Sequence, residues 1–184
     1  KILLSRGMIA PADRRNRLMN VLAAHWQPQP PQTPVIAAGS TGSIPATAQL
    51  LKVIAALPSG AVVLPGLDAG IDQESWDGMD DTHPQATLRA LLNTLGIGRE
   101  AVRPWPGVEA LADTRKARRW LAGEIMRPAA TTQSWANLKR IMPAGVDLPG
   151  DLPNIQRIDC TTPREEARII SALMRRSEEH TSEL

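Results

Sequence analysis

Apolar residues at Leu18, Val21, Leu22 and Trp26 recur at helical spacing across Asp13 to Trp26, with Arg14, Arg15 and Arg17 near the start. This pattern predicts an amphipathic helix. The QPQPPQTP run that follows, Gln27 to Pro34, is dense in proline, which forbids helix and favours an extended linker. Val35 to Ala38 is a short β-branched and small-residue run ahead of the turn-rich GSTGSIP. Leu50, Leu51, Ile54 and Leu57 then carry a helical pattern that Pro58-Ser59-Gly60 ends, and Ala61 to Leu64 reads as a second buried strand. Strand, turn, helix and strand within about thirty residues is the size of a βαβ unit, whose right-handed crossover sets its two strands parallel.

Farther on, the acidic, glycine-containing stretch Asp68 to His83 reads as a loop. Pro84 is placed to open a helix, with Leu88, Leu91, Leu92 and Leu95 as its stripe and Gly96 as its stop. Trp105 lies between two prolines in a connector. A further helix is expected from about Asp113 to Met126, with Ala117, Trp120, Leu121 and Ile125 on one side and Arg115, Lys116 and Arg119 on another. Pro128 stops it, a shorter helix follows around Trp135, Leu138 and Met142, and Pro143 to Pro153 forms a second connector. Ile155 to Cys160 is a plausible strand, and Thr162-Pro163-Arg164-Glu165 has the form of a capping box opening a helix through Ala167, Ile170, Leu173 and Met174.

Composition narrows the class. With 184 residues, 42% of them hydrophobic, the chain can form one sizeable core or the joined edges of two domains. It has no apolar run long enough to span a bilayer and no secretory signal at its start, so a cytoplasmic setting without membrane contact is the default expectation. The single cysteine, Cys160, permits no internal disulfide and cannot by itself hold a metal or cluster. A net charge of +2 argues neither for nor against a nucleic-acid partner. Both ends look cut: the chain opens without Met, and RSEEHTSEL (Arg176 to Leu184) resembles the translation of a sequencing-adapter oligonucleotide, an ordinary disordered tail being the alternative.

Three features carry candidate chemistry. Gly39-Ser40-Thr41-Gly42-Ser43 lies between a strand and a helix, where backbone N–H groups and the helix dipole can hold a phosphate. The turn has no lysine, Lys52 comes two helical turns too late, and the three-glycine dinucleotide fingerprint is absent. A tight structural turn, a nucleic-acid or subunit contact and a phosphate ligand remain open. The acidic stretch with Asp68, Asp72, Glu74, Asp77, Asp80, Asp81 and His83 could gather around magnesium or calcium, but Trp76 stands where a ligand should be, which favours a solvated loop. Arg115, Lys116, Arg118 and Arg119 beside Trp120 suit phosphate contact and base stacking, or form an ordinary exposed face with Trp120 in the core. His25 reads as a core-edge residue and Cys160 as a small buried apolar group; no catalytic arrangement and no metal site is visible.

PVIAAGSTGSIPATAQLLKVIAALPSGAVVLPGLD, Pro34 to Asp68, resembles a distinctive stretch of the AddB family in its alphaproteobacterial form, the double-strand break repair subunit of bacterial AddAB helicase–nucleases. DRRNRLMNVLAAHW upstream is similar to the family's Arg-rich helix, and HPQATLRALLNTLGIGREAVRPW, MRPAATTQSW and PREEARIISALMRR are similar downstream. The resemblance implies an α/β fold: a partial RecA-like, superfamily 1 helicase-like parallel sheet with flanking helices and an inserted helical segment, truncated at both ends. With the adapter-like stretch set aside as a non-native tail (176–184), it divides the chain into a helix and linker (1–33), the end of a first RecA-like domain (34–105), a helical insertion (106–153) and the start of a second RecA-like domain (154–175). It further implies a non-catalytic segment that handles one strand of a broken duplex beside an AddA-type helicase subunit. The family's magnesium-dependent nuclease and iron–sulfur cluster belong to its C-terminal region, whose motifs are not among these residues. Ser40, Thr41, Gly42 and Ser43 are the first candidates for nucleic-acid contact, because ligands of parallel sheets gather at the carboxyl ends of strands. Arg115 and Arg119 are the next. A phosphate- or nucleotide-binding α/β enzyme using the GSTGS turn is the alternative.

Overall fold

Proline sets the first boundary: Pro11 opens helix α1 (Pro11–Trp26), where a fixed φ and a missing amide are harmless. The computed structural model describes residues 9–107, 115–147 and 157–181, with side chains through Arg176. Of the stripe expected on α1, Leu22 and Trp26 are partly covered, while Leu18 and Val21 are 59% and 66% exposed. Asn16, Met19 and Ala23 complete the covered strip with Leu22 and Trp26, also at helical spacing. One neighbouring helix covers this narrow strip, and the Thr47 hydroxyl on that helix donates to Met19 Sδ at 3.4 Å. His25 is exposed, not at a core edge.

Strand β1 (Val35–Ala38), helix α2 (Pro45–Ala56) and strand β2 (Gly60–Val63) form the expected βαβ order, with the strands parallel and Val35 opposite Gly60. β2 begins one residue earlier than the apolar pattern suggested. Gly60 is required there, because a Cβ at that position would lie 1.9 Å from the Ile54 carbonyl oxygen. This two-stranded sheet is the only one among the described residues.

Asp68 to His83 is not simply a loop, since it contains helix α3 (Gln73–Gly78). Asp72 caps it, with Oδ1 accepting from the Ser75 amide at 2.8 Å, and Trp76 is buried. Helix α4 (Ala86–Leu95) starts after Pro84 and ends at Gly96, whose left-handed φ of 76° lets its amide reach the Leu92 carbonyl at 2.9 Å. Arg89 on α4 donates to the carbonyls of Trp76 at 2.8 Å and Met79 at 2.8 Å, closing the C-terminal end of α3. Arg99, in a short 3-10 turn, donates to the Ile71 carbonyl and lies 5.0 Å over the Trp76 ring.

Two apolar clusters meet on α4. Leu91 packs with Ala48 and Leu51 against Ala37 and Val62 of the strands; Leu92 packs with Trp76, Met79 and Ala86. Leu64 and Leu95 touch both clusters.

Helix α5 (Lys116–Ile125) ends one residue before the expected Met126, while Asp113 and Thr114 fall outside the described residues. Ala117 is buried, Trp120 and Leu121 are half-buried, and Ile125 points to solvent, contrary to its expected place on the apolar side. Glu124 occupies the covered position beside it. A 3-10 segment (Ala129–Asn137) and the short helix α6 (Leu138–Ile141) follow, with Trp135 exposed.

The contacts divide the chain into Lys1–Val146 and Asp147–Leu184. In the second unit, Ile155 and Gln156 lie outside the described residues, and 157–160 is irregular, so the expected strand is not found there. Cys160 is half-buried in this segment, not a core residue at a strand end. Helix α7 (Pro163–Thr181) is opened by the capping box: the Glu165 amide donates to Thr162 Oγ1 at 3.2 Å, and Glu165 Oε2 accepts from the Thr161 amide at 2.9 Å and its hydroxyl at 2.7 Å. α7 continues through Thr181, into the segment expected as a tail. No described helix is long and apolar enough to cross a membrane.

Leu91→Ala removes the side chain that joins the sheet to α4 and should destabilise the fold by about 2–5 kcal/mol. The midpoint of urea unfolding, followed by circular dichroism, measures this, and an unchanged midpoint would refute the packing role.

Candidate nucleic-acid interface

The Gly39–Ser43 turn is shaped by the core beneath it. Gly39 and Gly42 have φ of 77° and 64°, a region that glycine enters without strain. The Gly39 amide donates to the Val63 carbonyl at 3.1 Å, and the Gly42 amide to Ser40 Oγ at 3.3 Å. A Cβ on Gly42 would lie 2.7 Å from Leu91 Cδ1, so the turn is seated on the Leu91 cluster. Two amides of this turn are thus engaged internally, and Pro45 removes a third donor from the start of α2. Ser40 and Thr41 are half-buried, Ser43 is exposed, and Lys52 lies on the exposed side of α2. That geometry leaves little of the donor array a phosphate cradle needs.

A cleft of about 520 Å³ opens elsewhere in the first unit, between the Asp68–Ser75 segment and α5. Lys116, Arg119 and Trp120 line one side; Asp68 and Glu74 line the other. A smaller cavity of about 310 Å³, which also includes Arg119, reaches His83 and Met126. Arg115 and Arg119 are exposed one helical turn apart at the start of α5, and the Arg119 amide donates to the Arg115 carbonyl at 2.9 Å. Neither cavity includes any of Ser40 to Ser43, so the two sets of predicted contact residues do not share a site.

Arg127 builds the cleft wall. Its Nη1 donates to Asp72 Oδ2 at 2.6 Å and Ser75 Oγ at 2.7 Å, while Nη2 and Nε grip Glu124 at 2.7 and 2.8 Å. Ser75 Oγ is also 2.8 Å from buried Thr131 Oγ1, which ties α3 to the 3-10 segment. The side chains of Arg127, Glu124 and Asp72 are 8%, 11% and 45% exposed, so solvent screens the Asp72 pair far more than the fork on Glu124. Burial pushes the Asp72 carboxyl upward, but hydrogen bonds from the Ser75 amide, Arg127 and the Ser75 hydroxyl outweigh it and hold the group below the usual range. The hydrogen bonds that Arg127 donates to Glu124 are the largest influence holding its guanidinium above the ordinary value, with the one to Asp72 adding to them.

Most of the acidic residues have structural employment. Asp77 accepts from Gln73 Nε2 at 2.9 Å, and Asp68 Oδ1 from the Gly70 amide at 2.8 Å. Asp80 accepts from the Thr82 hydroxyl at 2.6 Å and its amide at 2.8 Å, and these bonds lower its pKa. His83 Nδ1 accepts from the Gln85 amide at 3.1 Å, which leaves Nε2–H to donate to the Met126 carbonyl at 2.7 Å. Among the described residues no three His, Cys, Asp or Glu side chains are grouped to hold a metal ion. With one cysteine in the chain, its residues also do not fit an iron–sulfur cluster, which needs several thiolates.

The Arg127 network was missed by sequence reasoning. Its local signs were the Asp72-to-Ser75 cap spacing and the Glu124-to-Arg127 spacing; the link between them spans 55 positions. No protein-family model, curated protein or solved structure matches the chain.

Arg127→Ala leaves Glu124 covered without its partner and should destabilise the fold by about 2–4 kcal/mol, while Arg127→Lys should recover only part of this. Because the folded Asp72 pKa is depressed, its contribution is present above the unfolded value of about 3.9 and is lost as pH falls through the lower folded value. Urea midpoints should therefore decline below about pH 4. That decline should be shallower in Asp72→Asn; an identical pH profile for both proteins would contradict this assignment.

Proposed function

We propose that this chain is a non-catalytic, DNA-handling segment of the AddB-type subunit of an ATP-dependent helicase–nuclease, which processes double-strand breaks for recombinational repair. The observation that carries the reading is the lysine-free turn at the carboxyl end of β1, folded onto Leu91 at the place where a nucleotide-hydrolysing βαβ unit would hold phosphates. The parallel pair β1–α2–β2 supports a partial RecA-like, superfamily 1 helicase-like sheet within the α/β fold. The resemblance of Pro34 to Asp68 to the AddB family supplies the biological setting: a cytoplasmic complex with an AddA-type helicase subunit and a single strand drawn from a broken end.

DNA would be held by charge and stacking, without bond chemistry in this segment. Arg119 and half-buried Trp120 both line the cleft, so a cation and an aromatic side chain share one cavity, and Arg115 adds a second cation one turn away. The exposed Ser43 hydroxyl, with those of Ser40 and Thr41, offers neutral donors at the end of the sheet. The family's magnesium and iron–sulfur chemistry is assigned to residues other than these. The seating of Gly42 on Leu91 disfavours the alternative of a phosphate-binding enzyme.

In the assembled helicase–nuclease, Arg115→Ala with Arg119→Ala should weaken single-strand binding and flatten its dependence on log salt concentration by about 1.4, two phosphate contacts at roughly 0.7 each. Titration of the chain alone with ATP should show no saturation in the micromolar range. Saturable ATP binding lost in Gly42→Val would sink the proposal in favour of a nucleotide enzyme.

A further inference from the structure

We draw no further inference here: the strongest candidate, the cleft in the first unit where Arg119 and Trp120 of α5 stand opposite Asp68 and Glu74, belongs to the site already described, and nothing in the structure shows an occupant other than the one proposed there.

Discussion

The packing of the first unit depends on two adjacent leucines. Leu91 and Leu92 are 1% and 2% exposed, and their side chains leave α4 about 100° apart, so each closes a different apolar cluster. One cluster carries the strands and α2; the other carries Trp76 and the segment around it. The same helix supplies polar fixings at its flanks. Arg89 closes the end of α3, while Gln85 accepts from the Asp68 amide and donates to the Gly66 carbonyl, both at 3.0 Å. The turn after β1 and the cleft wall are therefore positioned by one helix that belongs to neither.

Elements whose cause is local were legible in the sequence. The Val35 strand, the helix closed by Pro58-Ser59-Gly60, the Gly96 stop and the Thr162–Glu165 cap each carry their own signal within a few residues. The misread elements depend on distant partners. α3 has only six residues, and its Asp72 cap, buried Trp76 and Arg89 fixings outweigh the turn propensity of the surrounding Asp and Gly. On α1, apolar spacing drew in Leu18 and Val21 as well, but contact with a single helix covers a narrower strip that keeps only Leu22 and Trp26 of the four. The basic start of α5 could be read from its arginines, whereas the cleft beside it could not, because Asp72 and Arg127 meet only in the folded chain.

Charge in this protein falls into two classes. Arg127 is shared between Asp72 and Glu124 in partly covered surroundings, leaving one net negative charge, and the three fix the position of backbone segments. Arg115 and Arg119 carry charge in solvent on a helix held in place by Ala117 and Trp120. Cations in solvent on a firmly packed element suit a polyanion contact, since little side-chain framework must be ordered when the ligand arrives.

Seating Gly42 against Leu91 makes the loop and the core one mechanical part. A lysine at Gly42 would meet Leu91 at its first carbon, so the loop would have to lift and leave a void above Leu91 before the new charge could serve a phosphate. Such a change could not proceed by single gains: each step toward phosphate capture would loosen the sheet before any nucleotide could reward it.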